Sequence, residues 1–173
     1  MSSILGDVAR RRLLALAALV CLAGCWGEPP SPSYANPFEV RQRYLDQASK
    51  FAQSLINGTY QSTYNLASSQ LKARQGFQEF NQTHRDAAAQ YGKPERFEVT
   101  LDATDLEAIK KDPLGIPGGV PEDKCRAWVT IVFKTNPDAT GKDRVLYTCR
   151  ALLVEDKGKE RVAFYKYAPA ATP

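Results

Sequence analysis

The sequence predicts an α+β domain in which three N-terminal helices pack on a curved four-stranded antiparallel sheet. Up to Tyr91 the apolar residues recur at three- and four-residue spacing, and after Pro94 they alternate with polar ones. Helices first and strands afterwards is the α+β order, unlike the βαβ alternation of a parallel sheet. Ahead of this domain stands the only long uncharged apolar run, Leu13 to Gly24, followed by a Pro-rich stretch.

The first helix opens at Asn36-Pro37-Phe38-Glu39. Asn caps free amides, Pro suits the first helical position, and Glu sits where a capping box places it. Tyr44, Ala48, Phe51 and Leu55, with Leu45 and Ala52, then form one apolar face, and Asn57-Gly58 ends it. A short second helix carries Tyr60, Tyr64 and Leu66 until Ser68-Ser69 interrupts it. The third runs from Phe77 to Tyr91 with Phe80, His84 and Ala88 on one stripe, and Gly92 and Pro94 stop it. Phe97, Val99 and Leu101 then alternate as a half-buried strand. Residues 103–124 carry a helical turn around Leu106 to Ile109 and then a Pro- and Gly-rich loop. Three further strands follow, Cys125 to Thr135, Val145 to Val154 and Arg161 to Tyr167, with a turn at Asp156-Lys157-Gly158 between the last two.

The N-terminus has its own logic. Arg10, Arg11 and Arg12 precede the 12-residue run Leu13 to Gly24, which is too short for the roughly 20 residues a spanning helix needs. A basic segment, an apolar segment and small residues make a secretory signal. Its last residues, Leu22-Ala23-Gly24-Cys25, resemble the lipobox of bacterial prolipoproteins, in which the cysteine thiol takes the lipid and becomes the new N-terminus. The resemblance implies a signal peptide over 1–24 and lipidation (palmitate and its kin) at Cys25. It also implies a home on the outer side of a bacterial membrane, while the prolines read as a tether over 25–37, the remaining length as a single domain over 38–168, and the terminus as a flexible tail over 169–173.

Composition narrows the function classes. Arg10, Arg11, Arg12 and Asp7 leave with the signal, which lowers the net charge from +4 to +2. No basic stripe offers a nucleic-acid footprint, and no cofactor motif is present. Neither Cys125 nor Cys149 has a second Cys or a His at metal-ligand spacing, so no metal is expected. With Cys21 and Cys25 accounted for, those two thiols in an oxidising compartment predict a disulfide. Both positions are odd-numbered on neighbouring strands, and direct opposition would centre their hairpin on Pro137, inside Asn136-Pro137-Asp138.

Leu55-x-Asn57-Gly58-Thr59-Tyr60, then Tyr64-x-Leu66, Ser68, Leu71 and Phe80, resembles the start of exported domains of the nuclear-transport-factor-2-like (cystatin-like) superfamily. The likeness runs from Phe38 to Tyr167 and consists of helix caps and core aromatics, so it speaks to fold rather than activity. Enzymes of that superfamily place an Asp, His or Tyr in a cone-shaped cavity for proton transfer.

His84, the only histidine, falls on the apolar stripe of the third helix. A histidine so placed is more often a core residue satisfied by one hydrogen bond than a general base. Asp86 faces another side of the helix and cannot orient the imidazole. Together with Tyr60, Tyr64 and Trp128, His84 marks the expected pocket. The function expected is therefore binding, of an envelope protein partner or a small apolar ligand, without catalysis. Two alternatives are a dehydratase- or isomerase-type enzyme using His84 and a purely structural envelope lipoprotein.

Overall fold

The computed structural model describes residues 36–170. The signal segment, Cys25 and the tether as far as residue 35 lie outside the described residues, as do residues 171–173. Helix α1 spans Pro37–Ile56, with the Asn36 side chain accepting from the Phe38 amide at 3.0 Å. Its buried face is Tyr44, Ala48, Phe51, Ala52 and Leu55. Gly58, at φ +68°, takes the left-handed turn that an L side chain would resist, and the chain folds back into α2 (Tyr60–Asn65).

Ser68 does more than interrupt. It and Leu66, flanking Ala67, pair with the last strand, Ser68 N to Val162 O at 2.8 Å and Val162 N to Leu66 O at 3.0 Å. Its buried hydroxyl then accepts from the Leu71 amide and starts α3 (Ser69–Arg74), a helix additional to the three expected. Helix α4 (Phe77–Tyr91) has the bounds read from the sequence, with Phe80, His84 and Ala87 buried.

The sheet is a four-stranded antiparallel meander, β1 (Arg96–Ala103), β2 (Cys125–Lys134), β3 (Val145–Asp156) and β4 (Lys159–Pro169), paired in sequence order. Alternation along the strands sends side chains to two apolar clusters. One face presents Val129, Ile131, Phe133, Tyr147, Cys149, Leu153 and Val162 to α1, α3 and α4. The other presents Trp128, Leu152, Val154 and Ala163 to the segment between β1 and β2. That segment is built rather than loose. Asp105 caps α5 (Leu106–Lys111), a 3₁₀ turn follows at Glu122–Lys124, and Ile109 and Val120 are buried against Trp128 and its neighbours. Arg150 clamps it with hydrogen bonds from both Nη atoms to the Asp112 carboxylate and a further one from Nη2 to Asp102 at 3.2 Å. Its guanidinium lies 5.3 Å from the centre of the Trp128 ring.

The expected Cys125–Cys149 disulfide is not formed, and both thiols are free and buried. Cys149 opposes Ile131 and Cys125 opposes Val154, so the two lie six positions apart along β2, about 20 Å. The hairpin is centred on Thr140, not Pro137, because Asp138 gathers the amides of Thr140 and Lys142 and sets the turn there. A bulge between Cys125 and Ala127 also reverses the alternation, which puts Cys125 among the Trp128 cluster on the face away from Cys149.

Candidate functional site

The last turn of α1, the start of α2 and the C-terminal half of α4 meet the ends of β3 and β4 around a half-open cleft of about 410 Å³. Leu55, Ile56 and Tyr60 form one side, His84 and Ala88 a second, and Tyr147 and Tyr167 the floor. Lys93 and Pro94, placed by the turn at Gly92 (φ +103°), complete the lining, in which Lys93 is the only formally charged side chain.

His84 is buried in this lining, only 3 % exposed. Its ring stacks 4.8 Å from Tyr165 and parallel to Tyr60 at 6.2 Å, while Phe80 meets it edge-on at 4.1 Å. Burial alone, with no carboxylate near, lowers its pKa to about 3, so the imidazole is neutral at physiological pH. Nδ1 is hydrogen-bonded to the Tyr167 hydroxyl and Nε2 has no partner. That pairing assigns the tautomer. If Nδ1 carried the proton, the phenol hydrogen would also lack an acceptor, whereas a phenol donating to Nδ1 leaves one orphan, the Nε2 hydrogen.

Tyr147, Tyr165 and Tyr167 are neutral for the same reason. Burial raises Tyr147 and Tyr167 well above the ordinary phenol value, and Tyr165 is pushed up to about 12. Tyr165 donates to Gln75 Oε1 at 2.7 Å, which ties this wall to the α3–α4 corner. The acids are engaged elsewhere: Asp86 accepts from Gln82, Asp102 from Thr130 and Arg150, and Asp105 caps α5.

Of the expected pocket residues the structure brings together His84 and Tyr60 and excludes the other two. Tyr64 turns to the far side, packing on Phe77 and Phe80 and donating to Gln75 O at 3.0 Å. Trp128 is on the opposite face of the sheet. Tyr147 and Tyr167 take their places. Their signal in the sequence was parity, since Tyr147 and Cys149 share one face of β3, as Tyr165 and Tyr167 share one face of β4.

Among the described residues no group of three or more His, Cys, Asp or Glu could hold a metal ion, and no helix is long and apolar enough to cross a membrane. No protein-family model matches the sequence, and no curated protein is significantly similar to it. The cleft itself offers apolar and aromatic contact, phenol and imidazole hydrogen bonding, and no resident charge below its rim.

Proposed function

We propose that the protein is a lipid-anchored binding domain of the bacterial cell envelope, of the nuclear-transport-factor-2-like kind, that takes a small and largely apolar ligand in this cleft. The observation that carries the reading is a concave site of about 410 Å³ walled by Leu55, Ile56, Tyr60, Tyr147 and Tyr167, in which Lys93 is the one charged side chain. Such a volume is that of small-molecule sites in general. Proton transfer accounts for it less well, because His84 lacks a carboxylate partner and is a weak base when buried. Anchoring rests on Leu22-Ala23-Gly24-Cys25.

The test compares wild type with Ala88→Trp, which fills the cleft from α4. Mass spectrometry of molecules extracted from protein purified from a bacterial envelope should find an apolar compound with wild type and little with the variant. Nile red, added as a probe, should fluoresce with the emptied wild type only. Extracts free of any compound, together with equal dye signals from both proteins, would reject the reading.

A further inference from the structure

A second cleft, of about 350 Å³, lies at the other end of α1. Lys72 from α3, Lys157 from the β3–β4 turn, and Lys159 and Arg161 from β4 converge on it, with Asn65 and Ser69 at its wall. Its one acid, Asp156, is held by the Ser69 amide at 2.6 Å. The neighbouring acids are also taken, Glu155 by Arg126 and Glu160 by Arg43. None of the four cations forms a salt bridge among the described residues. Arg161 Nη1 donates to the Asn65 carbonyl at 2.8 Å and Lys72 lies over the Tyr64 ring, arrangements that hold the cations in place without neutralising them.

The position of this cleft matters as much as its charge. Arg43, in the second turn of α1, reaches Glu160 at 3.6 Å, so the chain enters the domain at the end that carries the β3–β4 turn. Helix α1 then runs its 20 residues, about 30 Å, to Leu55 and the tyrosine-lined cleft. The 11 Cα-to-Cα steps from Cys25 to Asn36 span at most about 40 Å. A lipid on Cys25 would therefore keep the basic cleft within reach of the bilayer, while the ligand cleft sits at the opposite end of α1.

We propose that Lys72, Lys157, Lys159 and Arg161 form a docking site for the phosphates of anionic phospholipid headgroups, holding the domain with its ligand cleft turned away from the membrane. This rests on the anchoring part of the function proposed above, and on none of its ligand chemistry. Lysines and arginines near an anionic surface each add attraction that falls off within a Debye length.

The experiment uses the mature lipidated protein reconstituted into phosphatidylcholine vesicles with or without phosphatidylglycerol. A fluorophore is placed at Asn65→Cys or at Ala89→Cys, both exposed, and the vesicles carry a lipid-borne quencher. The native thiols are buried and stay unlabelled. Quenching at position 65 should appear with phosphatidylglycerol and not without it, and position 89 should stay bright. Lys157→Glu with Lys159→Glu, or high salt, should weaken the effect at least about tenfold. Equal quenching at both positions, or quenching at 65 indifferent to lipid charge, would overturn the proposal. So would protection of the site by inorganic phosphate with no lipid effect. The mass of the N-terminal peptide reports lipidation separately. A chain found without lipid is assayed by cosedimentation with the same vesicles, where binding that survives charge reversal again overturns the docking.

Discussion

His84 on α4 and Tyr167 on β4, 83 residues apart in sequence, share a hydrogen bond between imidazole Nδ1 and phenol hydroxyl in the wall of the cleft. The bond pins the C-terminal half of α4 to the end of the last strand. Tyr167→Phe should therefore cost about 1–2 kcal/mol, the penalty for a buried acceptor left unmet. His84→Gln, which can still accept from the phenol, should cost less and keep the fold. Chemical denaturation of both variants at neutral pH measures the difference.

Acid should find the same histidine. Its folded pKa of about 3 lies below the unfolded value of 6.5, so between those limits the unfolded chain binds the extra proton. Stability from this group is whole above pH 6.5 and is lost as pH falls from there toward 3. The loss by pH 5 should be about 2 kcal/mol relative to pH 7. His84→Gln should flatten that part of the stability–pH curve; an unchanged slope in the variant would place the effect on other groups.

Arg150 is the clamp on the segment between β1 and β2. Its side chain is 27 % exposed and that of Asp112 8 %, so Arg150→Ala leaves a nearly buried carboxylate unpaired. A cost of about 2–3 kcal/mol follows, less than for a fully buried pair. Limited proteolysis should then cut between Leu106 and Lys124 sooner than in wild type. Arg150→Met combined with Asp112→Leu should recover much of the loss, because it removes both charges together.

Cys125 and Cys149 should resist thiol reagents in the native protein, since burial raises both thiol pKa values and shields the sulfurs. Alkylation in denaturant without reductant should label both, as peptide mapping would show. A cross-linked Cys125–Cys149 peptide would mean a different register for β2 and β3.

At the other terminus, Cys25→Ser should block lipid attachment and leave an unprocessed or misplaced precursor. Two or more acyl chains make a stable anchor, at about 0.8 kcal/mol for each buried methylene. Fractionation of membranes with a mass measurement checks it, and a mutant processed and retained like wild type would exclude the lipobox.

Local chemistry was legible in the residues themselves. The Asn36 cap, the Gly58 turn, the bounds of α4 and the order of the four strands each depend on a side chain and its near neighbours, or on a repeat of 3.6 or 2. So was the burial of His84, because a stripe of Phe80, His84 and Ala88 has only one way to face a sheet. What pairing decides was not. One extra residue between Cys125 and Ala127 flips every later side chain of β2, and no change in composition marks it. That bulge sends Cys125 to the outer cluster beside Trp128, and the turn at Thr140 carries Cys149 away from it. The short α3 likewise depends on Ser68 meeting Val162, a contact 94 positions away in the chain. The cleft, finally, is space left where α1, α4, β3 and β4 fail to close. A void has no residue of its own, so only the tertiary packing could place Tyr147 and Tyr167 beside His84 and leave Tyr64 outside.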